Sequence, residues 1–369
     1  MINLNDILIS GYYGFKNSGD DTLLLAIIQD LTKYKPDVKI AVLSKTPAET
    51  AKMYNVKAVN RLNPFAVILN IIKTRLLLSG GGTLIQDGTS TKSLFYYLFI
   101  IETAHIFGKK VMLYSNGIGP LTDKHRKITA KILNKTDIIT LRDEASLQEL
   151  ASLGVTKPKI ILTADPAFDI KCKNAQKGAY MLKKAGISEG EDFVCVSVRS
   201  CKGMSESFTD DLCKAADYIC EKYHAKIVFL PMQAARDNAI SHEISQKMKN
   251  KSYILEGISD IDTMLSVIAR AKLCIGMRLH SLIYAVSSCV PSIGLVYDVK
   301  VAGFMDYIGQ RYYLENISDG ALVDMIDECM QKNEQIRNEI SQNLTKLREL
   351  AESNARYATE LLEKRGRGL

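Results

Sequence analysis

The sequence predicts an α/β fold built from two Rossmann-like domains. Short apolar strands, turns rich in Gly, Asn or Asp, and amphipathic helices alternate many times along the chain, which is typical of parallel sheets covered by helices on both faces. The length of 369 residues exceeds what one hydrophobic core usually supports. Hydrophobic residues make up 47% of the chain, so each of the two domains can bury a core of its own.

The strands follow one another in two series, one in each half of the chain. The predicted strands of the first half are residues 7–10, 39–43, 76–79, 111–114, 138–141 and 160–163, and those of the second half are residues 194–198, 227–230, 253–255, 273–275 and 292–296. Residues 169–174, between the two halves, form a polar stretch without helical or strand periodicity. We therefore expect an N-terminal domain at 1–172 and a C-terminal domain at 173–369.

The last part of the chain predicts a long amphipathic helix. From Glu334 onward, apolar residues recur mostly at steps of three and four positions. We expect this helix to belong to the C-terminal domain and to pack across both domains. As an alternative, the basic residues 364–367 that follow it would contact anionic lipid.

Charge and cysteine content exclude several classes of protein. The net charge of +7 is moderate, and Lys and Arg are spread along the chain among the acids, so we expect no nucleic-acid partner. The eight cysteines include no Cys-x-x-Cys pair, and several lie in apolar runs, which predicts reduced thiols and a cytoplasmic location. The longest apolar stretch, residues 281–297, is interrupted by Ser287, Ser288 and Pro291 and falls short of a membrane span.

The turn after the first strand carries acidic and amide side chains. In open α/β sheets, ligands bind beyond the carboxyl ends of the strands, so residues that follow a strand are informative. Here Gly14, Asn17, Asp20 and Asp21 precede a helix predicted to start near Thr22, without a dinucleotide or P-loop fingerprint. Two acids would repel a phosphate. We expect one to cap the helix and the other to contact sugar hydroxyls.

A second turn, rich in glycine, follows the strand at residues 76–79. Three consecutive glycines, ending in Gly81 and Gly82, destabilise a chain unless a ligand or another backbone comes close, although a tight structural turn is the alternative. Gln86 and Asp87 then supply neutral and acidic hydrogen-bonding groups. The first half thus favours a neutral ligand rich in hydroxyls.

A later turn of the first half pairs Arg142 with Asp143. This pair suits an internal ion pair as well as it suits a ligand contact, and the sequence leaves both interpretations open.

The corresponding turns of the second half are basic. Arg199 ends one strand, Lys300 follows another, and Arg278, Leu279 and His280 lie between a strand and a helix. A cation in the first turn of a helix opposes the helix dipole, so we expect an anion beside Arg278, where helix amides would also bind it. The pKa of histidine suits His280 to proton transfer, although a structural role at the helix start is the alternative.

These motifs, in this order, resemble the polysaccharide pyruvyl transferase family, and most closely the bacterial cell-surface-anchoring branch that modifies a secondary cell-wall polymer. The matching segments are residues 11–20, 79–87 with Thr89 and Ser90, 117–120, Arg142-Asp143, Asp165-Pro166, 197–199, 231–233, 278–280, and Tyr297-Asp298 with Lys300. The sequence departs from the usual pattern at Lys16, Asp21, Val299 and Ala302. None of these positions touches the Arg-Leu-His motif, so they bear on the choice of acceptor more than on the reaction.

The resemblance implies two Rossmann-like domains that face each other across a cleft, as in GT-B glycosyltransferases. It also implies that phosphoenolpyruvate is a co-substrate, that a lipid-linked saccharide bearing N-acetylmannosamine is the acceptor, and that the product is a 4,6-linked pyruvate ketal. No cofactor or metal is implied. The implied donor-binding residues are Arg199, Arg278, Leu279, His280 and Lys300, with His280 and Arg199 catalytic, and the acceptor-binding residues are Gly14, Asn17, Asp20, Gly81, Gly82, Gln86 and Asp87.

Elementary chemistry agrees with this division of the substrates. Phosphoenolpyruvate carries a carboxylate and a phosphate on three carbons, and Arg pairs with such groups through two parallel hydrogen bonds. Two other functions remain open: a nucleotide-sugar glycosyltransferase on the same scaffold, and a sugar- or phosphate-binding protein without activity. A lipid-linked acceptor would bring the protein to the inner face of the cell membrane, in peripheral contact with it.

Overall fold

The computed structural model describes residues 5–15, 17–172, 174–201, 207–258, 260–297, 299–318 and 320–364. The chain forms two compact units, Met1–Ile170 with Leu347–Leu369, and Lys171–Lys346. Lys16 and Asp298 of the family motifs, and the basic residues 365–367, lie outside the described residues.

The first unit is a parallel sheet with helices in its connections. Its elements are β1 (Ile7–Tyr13), α1 (Ser18–Tyr34), β2 (Ile40–Ser44), α2 (Pro47–Tyr54), β3 (Lys57–Asn60), α3 (Pro64–Ile72), β4 (Leu76–Ser79), β5 (Gly82–Ile85), α4 (Thr91–Ile106), β6 (Lys110–Ile118), α5 (Asp123–Leu133), β7 (Ile138–Leu141), α6 (Glu144–Ser152), β8 (Lys159–Leu162) and a short 3-10 helix (Pro166–Asp169). The strand order is β3-β2-β1-β4-β6-β7-β8, and β5 pairs with β6. Every strand pair in this sheet is parallel.

Alternating side chains of the central strands supply two cores, one on each face of this sheet. Leu8 and Leu77 pack into the core that lies under α3, α4 and α5. Ile7 and Leu76 point the other way, into the core formed with α1. Burial on both faces explains why these strands read as continuous apolar runs in the sequence.

The second unit repeats the architecture. Its elements are α7 (Gln176–Ala185), β9 (Phe193–Ser197), α8 (Phe208–Tyr223), β10 (Lys226–Phe229), α9 (Ala234–Lys247), β11 (Ser252–Ile254), α10 (Ile261–Ile268), β12 (Leu273–Gly276), α11 (Leu279–Ser287), β13 (Ser292–Leu295), α12 (Val299–Tyr307), β14 (Tyr313–Leu314), α13 (Ala321–Gln331) and α14 (Asn333–Glu363). The parallel strands run in the order β11-β10-β9-β12-β13-β14. This is the Rossmann order, in which the connection reverses direction between β9 and β12, the usual place for a ligand.

All eleven strands predicted from the sequence are present, with ends that differ by a few residues. Three further strands, β3, β5 and β14, were missed. β5 is the informative one, because it begins at Gly82, inside the glycine segment that the sequence predicts to be a turn. Its pairing with β6 through Gly82 and Ile85 is a contact of distant residues that a local pattern does not show.

Helix α1 starts at Ser18, and the predicted start near Thr22 was wrong. Asn17 caps the helix, with its side chain accepting a hydrogen bond from the Gly19 N–H at 3.3 Å. The expectation that Asp20 or Asp21 caps the helix was therefore also wrong, because Asn17 already fills that position.

The long C-terminal helix is confirmed as α14, but its last part belongs to the first unit. Ala355, Ala358, Leu361 and Leu362 pack in the same core as Ile7. The expected domains, 1–172 and 173–369, placed the whole helix in the second domain. The structure instead divides the chain after Ile170 and returns Leu347–Leu369 to the first unit, because these apolar side chains complete its core.

Within the described stretches, none of the helices combines the length and the apolar content that a membrane crossing requires. All eight cysteines are free thiols.

Candidate functional site

Four neighbouring strands of the second unit each lead into a polar side chain. Gln233 follows β10, Arg199 follows β9, Arg278 follows β12 and Tyr297 follows β13. The strands are parallel and adjacent in this order, so these residues leave the sheet at the same edge. The sequence pointed to Arg199 and Arg278, and the structure shows contacts that join these side chains across the strand ends.

Arg278 is held by a buried carboxylate. It is the residue that immediately precedes α11, and its Nε lies 3.2 Å and 3.1 Å from the two carboxylate oxygens of Asp237. Its Nη2 also pairs with Asp237 and donates to Gln233 Oε1 at 3.3 Å. Asp237 is fully buried, and its Oδ2 also accepts the Gln233 N–H at 2.8 Å. The anion expected beside Arg278 is thus supplied by the chain itself, and it fixes the orientation of the guanidinium.

Sequence reasoning missed Asp237. A signal was available, because Asp237 stands four residues after Gln233 at the start of α9, a spacing that brings two side chains to the same side of a helix. The partner of Asp237 lies 41 residues away, however, and no local pattern indicates that distance.

Arg199 has a different environment, in which part of its hydrogen-bonding capacity is unused. Its Nη1 donates to the Tyr297 hydroxyl at 3.1 Å, and its guanidinium carbon lies 4.9 Å from the centre of the Tyr297 ring. Its Nε is buried, as is the hydroxyl of Ser197 at the end of β9, and neither has a hydrogen-bond partner within the described part of the chain. Buried polar atoms without partners cost free energy, so each of these two atoms is a candidate contact for a polar ligand.

His280 and Lys300 each lie at the start of a helix. His280 is the second residue of α11 and is half-buried, with Leu279 before it, whereas Lys300 is the second residue of α12 and is exposed. Helix starts present backbone N–H groups to anions. Together with Arg199, these residues make the edge of the second sheet at β9, β12 and β13 suited to an anionic ligand.

In the first unit, Asn17, Asp20 and Gly82 come together. Asn17 Nδ2 donates to Asp20 Oδ2, and Asp20 Oδ1 lies 3.5 Å from the position that a β-carbon on Gly82 would occupy. Gly82 has a φ of +96°, in the region that favours glycine. The second turn is therefore folded against the first, as a shared ligand site would require.

Asp20 has a strongly perturbed pKa. Burial, followed by the charge of Asp21, raises the pKa of Asp20 from 3.8 to about 7, although Arg142 and Arg61 act in the opposite direction. Burial also raises the pKa of Asp21 to about 6. A carboxyl group that titrates near neutral pH can take up or release a proton during a reaction.

The other glycines are explained by packing within the chain. A β-carbon on Gly80 would lie 2.1 Å from the Tyr13 hydroxyl, and one on Gly81 would lie 3.3 Å from a methyl group of Leu23. A β-carbon on Gly14 would lie 2.4 Å from Ser44 Oγ. Close packing alone accounts for these three glycines, whereas Gly82 faces Asp20.

Gln86 and Asp87 both use their polar atoms on neighbouring turns. Gln86 Oε1 accepts the Thr89 N–H at 3.0 Å. Asp87 accepts the Thr122 N–H at 3.0 Å and 3.1 Å, and its Oδ2 lies 2.5 Å from Nδ1 of His125. Burial raises the pKa of Asp87, but hydrogen bonds from Thr122 and His125 outweigh burial and hold that pKa below its ordinary value. Asp87 therefore fixes the start of α5, and sequence reasoning missed its partner His125.

Arg142 forms internal ion pairs. Its Nη1 donates to Asp165 at 3.1 Å, its Nη2 donates to Thr83 Oγ1 at 3.0 Å, and its Nε lies 3.4 Å from Asp143. Of the two interpretations left open by the sequence, the internal ion pair is the one observed, with Asp165 as an additional partner.

The described part of the chain shows no cluster of side chains that could bind a metal ion. Among residues 5–364 with the gaps given above, no group of three or more His, Cys, Asp or Glu side chains could hold a metal ion.

The fold is shared with a UDP-GlcNAc 2-epimerase and with a glycosyltransferase. The UDP-GlcNAc 2-epimerase from Methanocaldococcus jannaschii superposes with a TM-score of 0.69 at 14% identity, over 96% of this chain and 99% of the epimerase. A glycosyltransferase from Rickettsia africae superposes with a TM-score of 0.64 at 13% identity, over 98% of this chain and 100% of the other. At these identities, the likeness shows the fold alone.

Comparison of the sequence with known proteins identifies the family, which the structural likeness does not. The amylovoran biosynthesis protein AmsJ from Erwinia amylovora is 19% identical over 418 residues, which cover 91% of this chain and 94% of AmsJ. The model of a family described as polysaccharide pyruvyl transferase matches residues 17–299, a segment that includes Asp20, Arg199, Arg278 and His280. Because the match extends over most of the chain and over both units, this protein belongs to the polysaccharide pyruvyl transferase family.

Proposed function

We propose that this protein transfers pyruvate from phosphoenolpyruvate to N-acetylmannosamine of a lipid-linked glycan precursor, forming a 4,6-ketal. The observation that carries the proposal is the buried Nε of Arg199, which, like the Ser197 hydroxyl two residues earlier in the sequence, has no hydrogen-bond partner among the residues that the structure describes. Both atoms need a polar partner, and phosphoenolpyruvate has two anionic groups that could supply one.

We assign phosphoenolpyruvate to the second unit. Arg199 and Lys300 provide positive charge at the ends of β9 and β13. Arg278 contributes less net charge, because the buried carboxylate of Asp237 offsets it. We therefore infer that Arg278 orients the donor through directional hydrogen bonds more than it attracts the donor by charge. Asp237 and Gln233 hold the plane of its guanidinium in place.

The reaction joins two sugar oxygens to one carbon of the donor. The vinyl CH2 of phosphoenolpyruvate takes up a proton and becomes the methyl group, while C2 accepts the first sugar hydroxyl oxygen. The second hydroxyl oxygen then attacks C2, and the C2–O bond to phosphate breaks, so inorganic phosphate leaves with the electron pair. The two hydroxyl protons end on the methyl group and on phosphate. We assign proton transfer to His280, whose residue type suits it, with Arg199 as the second catalytic residue.

We assign the sugar acceptor to the first unit. Asn17, Asp20 and Gly82 form the group that best supports this assignment, because a carboxyl with a pKa of about 7 can hydrogen-bond hydroxyls in either protonation state. Gly14 and Gly81 shape the same turns. Gln86 and Asp87 would act by holding the second turn and the start of α5, since their own polar atoms already have partners.

The secondary cell-wall branch and the cytoplasmic location, at the inner face of the membrane, belong to the same proposal. The relation to a protein of amylovoran biosynthesis supports a polysaccharide acceptor in general. The motif resemblance supports the finer choice of a cell-wall polymer.

The test is a transfer assay with purified protein, phosphoenolpyruvate and a lipid-linked acceptor that ends in N-acetylmannosamine. We expect release of inorganic phosphate that depends on the acceptor, and a product heavier by pyruvate less one water. Transfer of a sugar from a UDP-sugar, with no phosphate released from phosphoenolpyruvate, would instead establish a glycosyltransferase. Binding of either ligand without turnover would establish a binding protein.

His280→Ala should lower turnover by roughly a hundredfold to ten-thousandfold, the usual range for a positioned acid or base, while binding of phosphoenolpyruvate persists. His242→Ala is the matched control, because His242 is exposed and paired only with Glu256 in the contacts of the described residues. Equal turnover of the two variants would remove His280 from the mechanism.

A further inference from the structure

Helices α3, α4 and α5 share one face of the first unit. Their inner sides pack in a single core, to which α3 contributes Val67, α4 contributes Leu98 and α5 contributes Ile132. Helix α4 contacts both α3 and α5, and an ion pair joins Glu102 of α4 to Lys135, which lies two residues after the end of α5. The outer sides of the three helices therefore form one continuous surface, which we call the α3–α5 face.

The α3–α5 face exposes large apolar side chains. Six of the twelve exposed large hydrophobic residues in the described chain lie on these three helices, namely Phe65, Leu69, Phe95, Phe99, Ile106 and Ile128, and two more, Leu62 and Phe107, lie beside the helix ends. Phe65 is 84% exposed and Ile106 is 69% exposed. Single exposed apolar residues are ordinary, but a cluster on one surface marks a site of interaction.

Their spacing shows that the side chains line up along the helices. Phe95, Phe99 and Ile106 are separated by four and seven residues on α4, and Phe65 and Leu69 by four residues on α3. These steps repeat the helical period, so each set lies on one side of its helix, opposite the core.

The surroundings of this apolar surface are basic. Lys124, Lys127 and Lys131 are exposed at steps of three and four residues on α5, with the exposed Ile128 between them, and Lys92 is exposed in the first turn of α4. No ion pair in the described residues joins these four lysines to an acid. The three helices contain only two acids, Glu102 on α4 and Asp123 on α5, and Glu102 already pairs with Lys135.

Aromatic and aliphatic side chains beside lysines that form no ion pair within the described residues match the interface of an anionic lipid bilayer, where apolar groups insert below the headgroups and lysines meet lipid phosphates. A second copy of this chain would bring the same lysines against one another, which charge repulsion disfavours. We propose that the α3–α5 face docks the first unit on a membrane that contains anionic phospholipid.

This inference deepens the proposed lipid-linked acceptor by naming the surface that would hold the acceptor-binding unit at the bilayer, and in that sense it rests on the proposed function. It places the membrane contact on the first unit's sheet helices rather than on the basic C-terminal residues considered from the sequence. Its test needs neither donor nor acceptor, so the two ideas can fail separately.

The experiment measures binding of the full chain to vesicles of phosphatidylcholine, with and without phosphatidylglycerol, by co-sedimentation. We expect binding that increases with phosphatidylglycerol and decreases as salt is added, because salt screens the lysines. Lys124→Gln/Lys127→Gln/Lys131→Gln should bind the anionic vesicles roughly a hundredfold more weakly, since each lysine near the surface contributes about 1 kcal/mol. Phe65→Ser/Phe99→Ser should weaken binding to every vesicle that the protein binds.

The matched control is Tyr180→Ser/Lys183→Gln/Lys184→Gln on α7, which removes a 66% exposed aromatic ring and two exposed lysines from the second unit. It should bind vesicles as the wild type does. Wild-type binding by both α3–α5 variants would overturn the proposal. A second result would also overturn it: a wild-type protein that binds no vesicles and forms a dimer in light scattering, where Phe65→Ser/Phe99→Ser dissociates the dimer. The α3–α5 face would then bind a second copy of the chain and not a membrane.

Turnover on a water-soluble acceptor sugar separates this inference from the proposed function. Both α3–α5 variants should retain that turnover, which would show that they are folded. A wild-type protein that binds anionic vesicles but never releases phosphate would contradict the proposed function and leave the docking surface intact.

Discussion

Replacing Asp20 with Asn should make the protein more stable at alkaline pH. Burial, followed by the charge of Asp21, raises the pKa of Asp20 from 3.8 to about 7. The folded state therefore disfavours the ionised carboxyl, and the cost appears as pH rises above 3.8 and is complete above 7. Asn carries no charge at any pH, and its side-chain oxygen can still accept the hydrogen bond from Asn17.

The size of the effect follows from the two pKa values. A carboxyl that titrates near 3.8 when unfolded and near 7 when folded costs about 4 kcal/mol at pH 8 and about 2 kcal/mol at pH 5. These values are upper bounds, because the structure can relax around the charge. We therefore expect Asp20→Asn to raise the free energy of unfolding at both values of pH, and by more at pH 8.

The assay is urea unfolding of the wild type and of Asp20→Asn at pH 5 and pH 8, with the free energies compared pairwise. Loss of stability in Asp20→Asn at pH 8, or a gain that does not depend on pH, would refute the assignment of a raised pKa to Asp20. A separate measurement addresses its role: Asp20→Asn should impair use of the acceptor while calorimetry shows near-normal binding of phosphoenolpyruvate. An equal loss of donor binding would contradict the division of substrates between the units.

Asp87→Asn should lower the free energy of unfolding, because the pKa of Asp87 is lowered in the folded state. The ionised carboxylate stabilises the fold above its unfolded pKa, and this contribution is lost as pH falls through the folded pKa. Unfolding measured at pH 7 should therefore become easier, whereas unfolding in acid should change little. Arg278→Lys should raise the Michaelis constant for phosphoenolpyruvate, because one ammonium cannot replace the fork that Asp237 holds, and an unchanged constant would remove Arg278 from the donor site. Asp237→Asn should also raise that constant, with a circular dichroism spectrum like that of the wild type, whereas a merely structural Asp237 would lower stability and leave the constant unchanged. Gly82→Ala should cost about 1–2 kcal/mol in thermal unfolding, because Ala rarely adopts a φ of +96°, and an unaltered melting temperature would show that this turn relaxes.

Much of the fold could be predicted from the sequence, because each element carries its own signal. Strands buried on both faces, such as β4, are continuous apolar runs, and α14 shows the helical period over many turns. β3 and β14 were missed because they are short and lie at sheet edges, where fewer side chains are buried. The place of the last helix could not be read locally, because the core that Leu361 joins is made by residues more than 200 positions earlier.

The sequence indicated which residues belong to the candidate site, but not which residues they contact. Arg199 and Arg278 stand at strand ends, and that position alone pointed to them. The partners that determine their behaviour, Tyr297 and Asp237, come from other strands and helices, so they required three-dimensional contacts. The glycine segment shows the same limit, since Gly80 and Gly81 serve packing against Tyr13 and Leu23, while Gly82 faces Asp20.

Helix α14 also affects the order in which the chain can fold during synthesis. Domains usually fold as units, with the N-terminal one first. In this protein the first unit consists of two separate segments, and the core around Ile7 stays incomplete until Ala355, Ala358 and Leu361 have been made. The ribosome synthesises Lys171–Lys346 before those residues, so the second unit can fold first while this side of the first sheet is covered by α1 but not yet by α14. The apolar side chains on this side of the sheet therefore become fully buried later than their place near the start of the sequence suggests.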